Sequence, residues 1–389
     1  MKIPSYLVNF KCIGGQCEDN CCIGWDVDID KKTYQKYQKV EHPVMRRELK
    51  RYVKVNPDVY NDSINYAFAI LDADKHCSFL NADHLCIIQK HLGETYLSNV
   101  CHNFPRITNI IDGQIERSAT PSCPEVMRYL VEMPDAMKLI NIADPNETPI
   151  VTYNLNQNEK KFKGKLLSKI LLIRNRCLTL LADESLDFEQ QLRSLADFVE
   201  ALTNFEKKAS KDNFDRIFID LLNQNYTVST RSSKSSDAIS QSFYALSDML
   251  IRHVHEVGVH DSERFLDFSN IAEKGDIAKG ESIFIDFFTN HTHIFRNLFQ
   301  NHIFKNLFPF SEGKNPEDAL WLLLCRYAIL KRQLIGIAGY YGELKIETVV
   351  SYIQVFSKVI EHHKHFEAQT IQTLKVKKFN TNGLLNALL

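Results

Sequence analysis

This 389-residue chain lacks the marks of several large protein classes. Only 14 glycines and 11 prolines are present, against 44% hydrophobic and 24% charged residues, which is the balance of a folded protein rather than a disordered one. The formal net charge is −1, so no basic excess directs the chain to DNA or RNA. No acidic or basic run is long enough to make a disordered tail. The N-terminus, "MKIPSYLVNFKCIGG", has a short apolar patch interrupted by Pro4, Ser5 and Asn9, and it offers neither the apolar core nor the small-residue cleavage site of a signal peptide. The most apolar later stretch, "ALWLLLCRYAILKRQLIGIAGYY", is broken by Arg326, Lys331 and Arg332. A membrane span needs about 20 mostly apolar residues, so this stretch reads as a buried helix. These absences together predict a cytoplasmic protein with neither nucleic acid nor membrane as a partner.

Cysteine is what the chain has in abundance. Eight of the ten cysteines fall in the first 123 residues: Cys12, Cys17, Cys21, Cys22, Cys77, Cys86, Cys101 and Cys123. Cys177 and Cys325 stand apart in helical surroundings and are expected to pack as small hydrophobes. A reducing cytosol disfavours structural disulfides, which leaves metal ligation as the reading of the eight. Thiolates bind soft or borderline metals, so zinc and iron–sulfur clusters are the candidates. The spacing C-x4-C-x3-C-C contains no C-x2-C zinc knuckle. An iron–sulfur cluster tolerates irregular spacing because it is bulky. Gly14-Gly15 suits a loop whose backbone approaches a cofactor closely. Adjacent cysteines diverge by about 100° on a helix and point to opposite faces of a strand, so Cys21 and Cys22 can serve different roles. Spacing alone leaves open two four-thiolate sites, or one site with four spare thiols. The C-x3-C-x2-C of radical chemistry is absent, because after Cys17 and Cys21 the third position is Gly24.

The chain divides by pattern into a cysteine-rich, irregular region over 1–140 and an all-helical region over 159–389. In the first, "RITNIIDGQIERSA" places Asp112-Gly113 between two β-favouring runs and predicts a hairpin. Leu85, Ile88, Leu92, Tyr96 and Val100 have helical spacing, interrupted at Gly93. Asp, Asn, Pro and Thr concentrate in "IADPNETPIVTYNLNQNEK", which reads as a linker. Beyond it, Leu166, Ile170, Ile173, Cys177 and Leu180 form one apolar stripe, and Leu192, Leu195, Val199 and Leu202 another. Further helices are expected from near Ala238 and over 281–307, 317–338 and 344–363. The expected class is therefore mainly α: an irregular cysteine-rich metal-binding N-terminal domain with a small β-hairpin, then an all-α domain.

The segments "CIGGQCEDNCCIGWDVDID", "HCSFLNADHLCIIQKHLGETYLSNVCHNFPR" and "GQIERSATPSCPE" resemble the flagellin lysine N-methylase family. So do "NHIFKNLFPF", "RYAILKRQLIGIAGYYG" and "VFSKVIEHHKHF" near the other end. The resemblance implies a protein-lysine N-methyltransferase that moves a methyl group from S-adenosylmethionine to lysine side chains of flagellin. It also implies an iron–sulfur cluster, [4Fe–4S] in type, with zinc as the alternative and all eight clustered cysteines as candidate ligands. It supplies no map of the methyl-donor site. The competing expectation is a non-catalytic iron–sulfur or zinc protein acting as a redox sensor.

Other motifs carry less. His255 and His260 of "HEVGVH" are five apart, about 140° around a helix, and cannot share a zinc ion as an i, i+4 pair does. "EHHKH" over 361–365 reads as a helix end, where positive side chains suit the dipole. "GIAGYYG" has no preceding strand and is no dinucleotide fingerprint. Its glycines mark either a helix end or a tight ligand pocket in which Tyr340 or Tyr341 takes a proton from lysine, and these two tyrosines are the candidate catalytic residues. Lys305, Arg326 and Lys331 are expected to snorkel from apolar helices, and Arg106 falls close to Cys101.

Overall fold

The computed structural model describes residues 1–25, 27–143, 149–208, 213–226, 236–256, 263–311, 315–361 and 366–388. His260 and the histidines of "EHHKH" lie outside them, as do parts of the expected linker and of "TRSSKSSDAIS".

Two sheets occupy the first 155 residues. The strands are β1 (Lys2–Pro4), β2 (Val27–Ile29), β3 (Val53–Val55), β4 (Ala67–Ala69), β5 (Arg106–Ile111), β6 (Gln114–Ala119), β7 (Leu139–Asn141) and β8 (Val151–Leu155). The smaller sheet, in the order β2-β4-β3, is antiparallel throughout. Helices α1 (Lys31–Tyr37) and α2 (Pro43–Tyr52) accompany it. Val27, Ile29, Tyr37, Met45, Leu49 and Phe79 close a small separate core there. The larger sheet, in the order β7-β1-β6-β5-β8, is mixed. The hairpin at its centre is the one expected: Asp112 and Gly113 have φ of 51° and 79°, the two positive values that match a two-residue turn to strand twist. The hairpin is not isolated, however. β8 lies within the stretch read as a linker, and it pairs parallel with β5.

Short helices α3 (Ile87–Leu92) and α4 (Asn99–Asn103) follow the small sheet, with the predicted break at Gly93, whose φ is 88°. Helix α5 (Pro124–Glu132) follows the hairpin. The remainder is helical: α6 (Ile170–Leu180), α7 (Phe188–Lys208), α8 (Phe214–Asn223), α9 (Ser236–Glu256), α10 (Glu263–Glu273) and α11 (Ile277–Asn290). Then come α12 (His293–Lys305), α13 (Pro316–Tyr341), α14 (Ile346–Glu361), α15 (Phe366–Val376) and α16 (Thr381–Leu388). The fold is thus mainly α, as expected, with more sheet than a single hairpin.

Helix α13 is the axis of the helical part. Asn315 caps it by accepting the Asp318 N–H at 2.9 Å, Pro316 occupies the first turn, and Gly342 ends it with φ of 74°. Helices α7, α9, α10, α11, α14, α15 and α16 surround it, so it is buried on nearly every face. Gly336 and Gly339 exist for this packing. A Cβ on Gly336 would meet the Ala272 carbonyl oxygen at 2.3 Å, and one on Gly339 the Asp276 carbonyl oxygen at 2.0 Å. Gly275 and Gly280 face α13 in the same way, so backbone meets backbone where α10 and α11 cross it.

The main core runs across the expected division. Tyr6, Ala119, Val126, Met127 and Leu130 share it with Ile173, Phe198, Phe304, Leu323 and Tyr352. Tyr6 donates from its hydroxyl to Asn301 Oδ1 at 2.8 Å and accepts the Ala119 N–H at 2.9 Å. Asn297 donates to the carbonyls of Leu130 and Met133. Arg174 and Glu116, each 1% exposed, form a buried ion pair at 2.7 Å between α6 and the large sheet. Lys331 and Arg326 do not reach for solvent as expected. Lys331 pairs with Glu189 at 2.5 Å, and Arg326 lies 3.4 Å from Glu367.

Candidate functional site

Four loops bring the cysteines to one place. Residues 12–25 form the first. A short 3-10 turn over Gly14–Gln16 lies between Cys12 and Cys17, and the Gly14 N–H points at Cys12 Sγ at 3.4 Å. The glycine pair is explained by local packing: Gly14 has φ of 58°, and a Cβ on Gly15 would meet the Asp83 carbonyl oxygen at 2.9 Å. Asn20 then pins the turn, accepting the Cys22 N–H and donating to the His84 carbonyl at 2.8 Å. Cys77 donates its N–H to the Cys22 carbonyl at 2.8 Å, which joins the second loop to the first. Cys86 opens α3, and Cys101 sits in the first turn of α4, its N–H held by Ser98 Oγ. Cys123 is the residue before α5.

The result is a cleft of about 230 Å³ lined by Cys12, Cys17, Cys21, Cys22, Cys86, Cys101 and Cys123. Cys77 is buried among them, close enough to raise the pKa values of Cys22 and Cys101. All ten cysteines are unbonded, and Cys177 and Cys325 are buried in the helical core as expected. Mutual electrostatic influence sorts the eight into two neighbouring sets. Cys12 raises Cys17 and both raise Cys123, while Cys21, Cys77 and Cys101 raise Cys22, and Cys21 and Cys86 raise Cys77 and Cys101. Cys21 and Cys22 share one turn, and their influence on each other lowers Cys21 to about 7 and raises Cys22. Burial dominates elsewhere, pushing Cys17 and Cys77 up to about 11 and Cys101 and Cys123 to about 12.

Among the described residues, no three Cys, His, Asp or Glu side chains close on a point where they could hold a single metal ion. Seven of the eight cysteines line one common space, the arrangement that a thiolate-ligated group larger than one ion would need.

The cysteine loop is fastened to the helical part by one carboxylate. Asp19 accepts from Lys358 Nζ at 2.7 Å and Gln354 Nε2 at 2.7 Å, and Arg264 Nη1 stands at 3.5 Å. Gln354 also donates to the Ser122 carbonyl, beside Cys123. Lys358 lies 5.3 Å from the Trp25 ring, which itself meets Phe104 edge-on. Arg106, singled out by its nearness to Cys101, lines the same cleft. Sequence reasoning missed Asp19, Gln354 and Lys358. Their partners are more than 300 residues apart, and no local pattern announces such a contact.

Tyr340 and Tyr341 are elsewhere. They are 49% and 53% exposed at the end of α13, edge to face with each other at 5.1 Å, and line none of the described cavities. The helical part contains a different recess, of about 450 Å³, between α7, α11, α12 and α13. Among the described residues, no helix is long and apolar enough to cross a membrane.

The family described as FliB lysine N-methylase C-terminal domain matches residues 174–388, which run from α6 to the end of α16. The chain is 24% identical to a lysine-N-methylase of Salmonella choleraesuis (strain SC-B67) and equally to one of Salmonella typhimurium (strain LT2), in each case over 95% of both chains. It is also 32% identical over 136 residues to the flagellar biosynthetic protein FliU of Salmonella muenchen, covering 35% of this chain and 79% of that one. No solved structure gives a significant match. With more than half its length matched to the family and the curated relatives spanned nearly end to end, the chain belongs to the FliB lysine N-methylase family.

Proposed function

We propose that this protein is a lysine N-methyltransferase that uses S-adenosylmethionine and acts on flagellin, with the thiol cleft holding an iron–sulfur cluster of the [4Fe–4S] type. The observation that carries the reading is the gathering of eight thiols at the seam between the cysteine loops and α14, in a chain whose relatives are named for lysine methylation. Cys12, Cys17, Cys21, Cys22, Cys77, Cys86, Cys101 and Cys123 are the ligands on offer. When bound, such a cluster supplies a redox-active iron centre and ligation free energy that orders the loops around it.

The chain's own residues have a separate task. A lysine ammonium of pKa about 10.4 must lose a proton before its nitrogen lone pair can attack the sulfonium methyl. The new C–N bond forms as the C–S bond breaks, the C–S electron pair leaves with sulfur as a thioether, and the amine proton passes to a base or to water. Alignment of amine, methyl and sulfur is the main contribution a protein makes to such a displacement. Tyr340 and Tyr341 remain proposed as contributors through their hydroxyls. The open helix end they occupy makes them suited to contacting the flagellin surface rather than enclosing the donor. Replacing both by Phe then lowers methylation, and methylation at the parental rate removes them from the machinery.

The test of the whole reading is anaerobic purification followed by iron, sulfide and zinc analysis and an assay of flagellin methylation. Brown protein containing iron and sulfide, active with S-adenosylmethionine, is expected. Stoichiometric zinc without sulfide contradicts the cluster. Metal-loaded protein that binds no S-adenosylmethionine supports the sensor reading, which draws on the Asp19 fastening as its route from metal to helices.

A further inference from the structure

The recess among α7, α11, α12 and α13 has the composition of a cation site. Its wall is aromatic. Phe295 packs against Phe188, Phe288 and Tyr327 with ring centroids 5.5, 4.5 and 5.3 Å apart, and Phe284 stands 4.5 Å from Phe288. Carboxylates are set at its edge. Glu189 accepts the Tyr327 hydroxyl at 2.8 Å, and Glu281 accepts the Tyr244 hydroxyl at 2.5 Å. Asp187 also lines it, although its carboxylate accepts the Gln190 N–H at the start of α7. Among the described residues the lining holds one cation, Lys331, against these three acids, a net negative balance. The mouth is open to solvent beside the exposed Ile285.

Lys331 displays what such walls accept. Its ammonium pairs with Glu189, 4.8 Å from the Phe243 ring and 6.0 Å from Tyr327. An alkylammonium group on an aliphatic stem gains from both features: ring faces attract the charge, and apolar rings cover the methylenes. A recess of about 450 Å³ is large enough for a side chain of this length and falls within the usual size of ligand sites.

We infer that this recess binds the lysine side chain of the protein substrate, with Phe288, Phe295 and Tyr327 as its cage and Glu189 and Glu281 as its anionic edge. The inference rests on the lysine-methylation reading for the identity of the ligand, but not for the chemistry of the site. An open mouth favours a side chain offered from another protein's surface over a nucleoside that needs enclosure.

The test uses full-length protein and Nα-acetyl-lysine methylamide, with the uncharged norleucine analogue as control. Saturation-transfer NMR is expected to show contact from aromatic protons to the lysine ε-methylene, and none to norleucine. Glu281→Gln keeps an oxygen for the Tyr244 hydroxyl while removing the charge. It is expected to weaken lysine binding about three- to fivefold, and the Glu189→Gln/Glu281→Gln pair about tenfold. Phe288→Leu keeps apolar volume without the ring face and is expected to weaken it also, with circular dichroism checking that each variant is folded. Folded variants that bind lysine as tightly as the parent overturn the assignment, as does displacement of the analogue by S-adenosylmethionine from the same rings. In the flagellin assay the variants are expected to raise KM with little change in kcat. A parent protein that binds the analogue here yet methylates nothing leaves the site standing and removes the methylase reading. An active parent whose Glu variants keep the parental KM removes the site alone.

Discussion

Asp19 ties the cysteine loop to the helical part. It is largely buried, as is Lys358, and three side chains from α10 and α14 converge on it. Lys358→Met keeps the apolar stem against Trp25 but leaves the carboxylate short of one charged partner, a loss of about 1–3 kcal/mol. Hydrogen exchange is expected to rise in residues 14–24 before it rises in α13; equal protection in variant and parent contradicts the fastening. The Arg174–Glu116 pair is deeper and costs more to break. Arg174→Met leaves Glu116 charged in the core, with Lys2 at 3.8 Å, and is expected to destabilise by about 3–5 kcal/mol, read as a lowered denaturation midpoint. At this scale some of the chain was legible in advance. Cys177 and Cys325 lie in apolar helical stripes and are buried as such stripes require. Gly14 and Gly15 were less so: a glycine pair beside thiols is consistent with a close cofactor, yet these two answer to a left-handed turn and to the Asp83 carbonyl.

Elements tell a similar story through helix crossings. Alanine is the better helix former than glycine by about 1 kcal/mol, so propensity alone favours Gly336→Ala and Gly339→Ala. Packing decides otherwise, because each new methyl would stand about 2 Å from a carbonyl oxygen that belongs to a rigid helix end. Both variants are expected to lose about 1–3 kcal/mol net, visible as a fall in melting temperature; an unchanged or raised midpoint contradicts the close crossing. In "GIAGYYG" the helix end was legible, since Gly342 closes α13, but the roles of Gly336 and Gly339 were not, because their partners are backbone atoms some sixty positions earlier. The Asp112-Gly113 turn was readable because its requirement, two positive φ angles, is local. Strands β1, β7 and β8 were not, being three to five residues long and paired with segments as far as 139 positions away. The expected helix over 281–307 is two, α11 and α12, separated at His291 and Thr292.

The whole molecule joins a cysteine-lined cleft to a helical body through a shared core, and the cluster proposed for that cleft predicts how the chain responds to chelation. The small sheet has its own core, whereas Cys123 and α5 belong to the main one. Chelation is therefore expected to raise hydrogen exchange first in residues 12–25 and 77–101, with α13 protected; a uniform rise over the whole chain contradicts that order. The eight thiols were legible as one set from their number within the first 123 residues. Their meeting place was not, because four loops separated by up to 111 residues have to fold before the cleft exists. The recess among α7, α11, α12 and α13 was invisible for the same reason, its residues coming from segments spread between Asp187 and Ile335. The most direct measurement is peptide mass spectrometry of flagellin after incubation with anaerobically purified, full-length protein and S-adenosylmethionine. The account predicts mass gains of whole methyl groups confined to lysine side chains and dependent on the donor; flagellin of unchanged mass, with iron- and sulfide-loaded protein present, contradicts it.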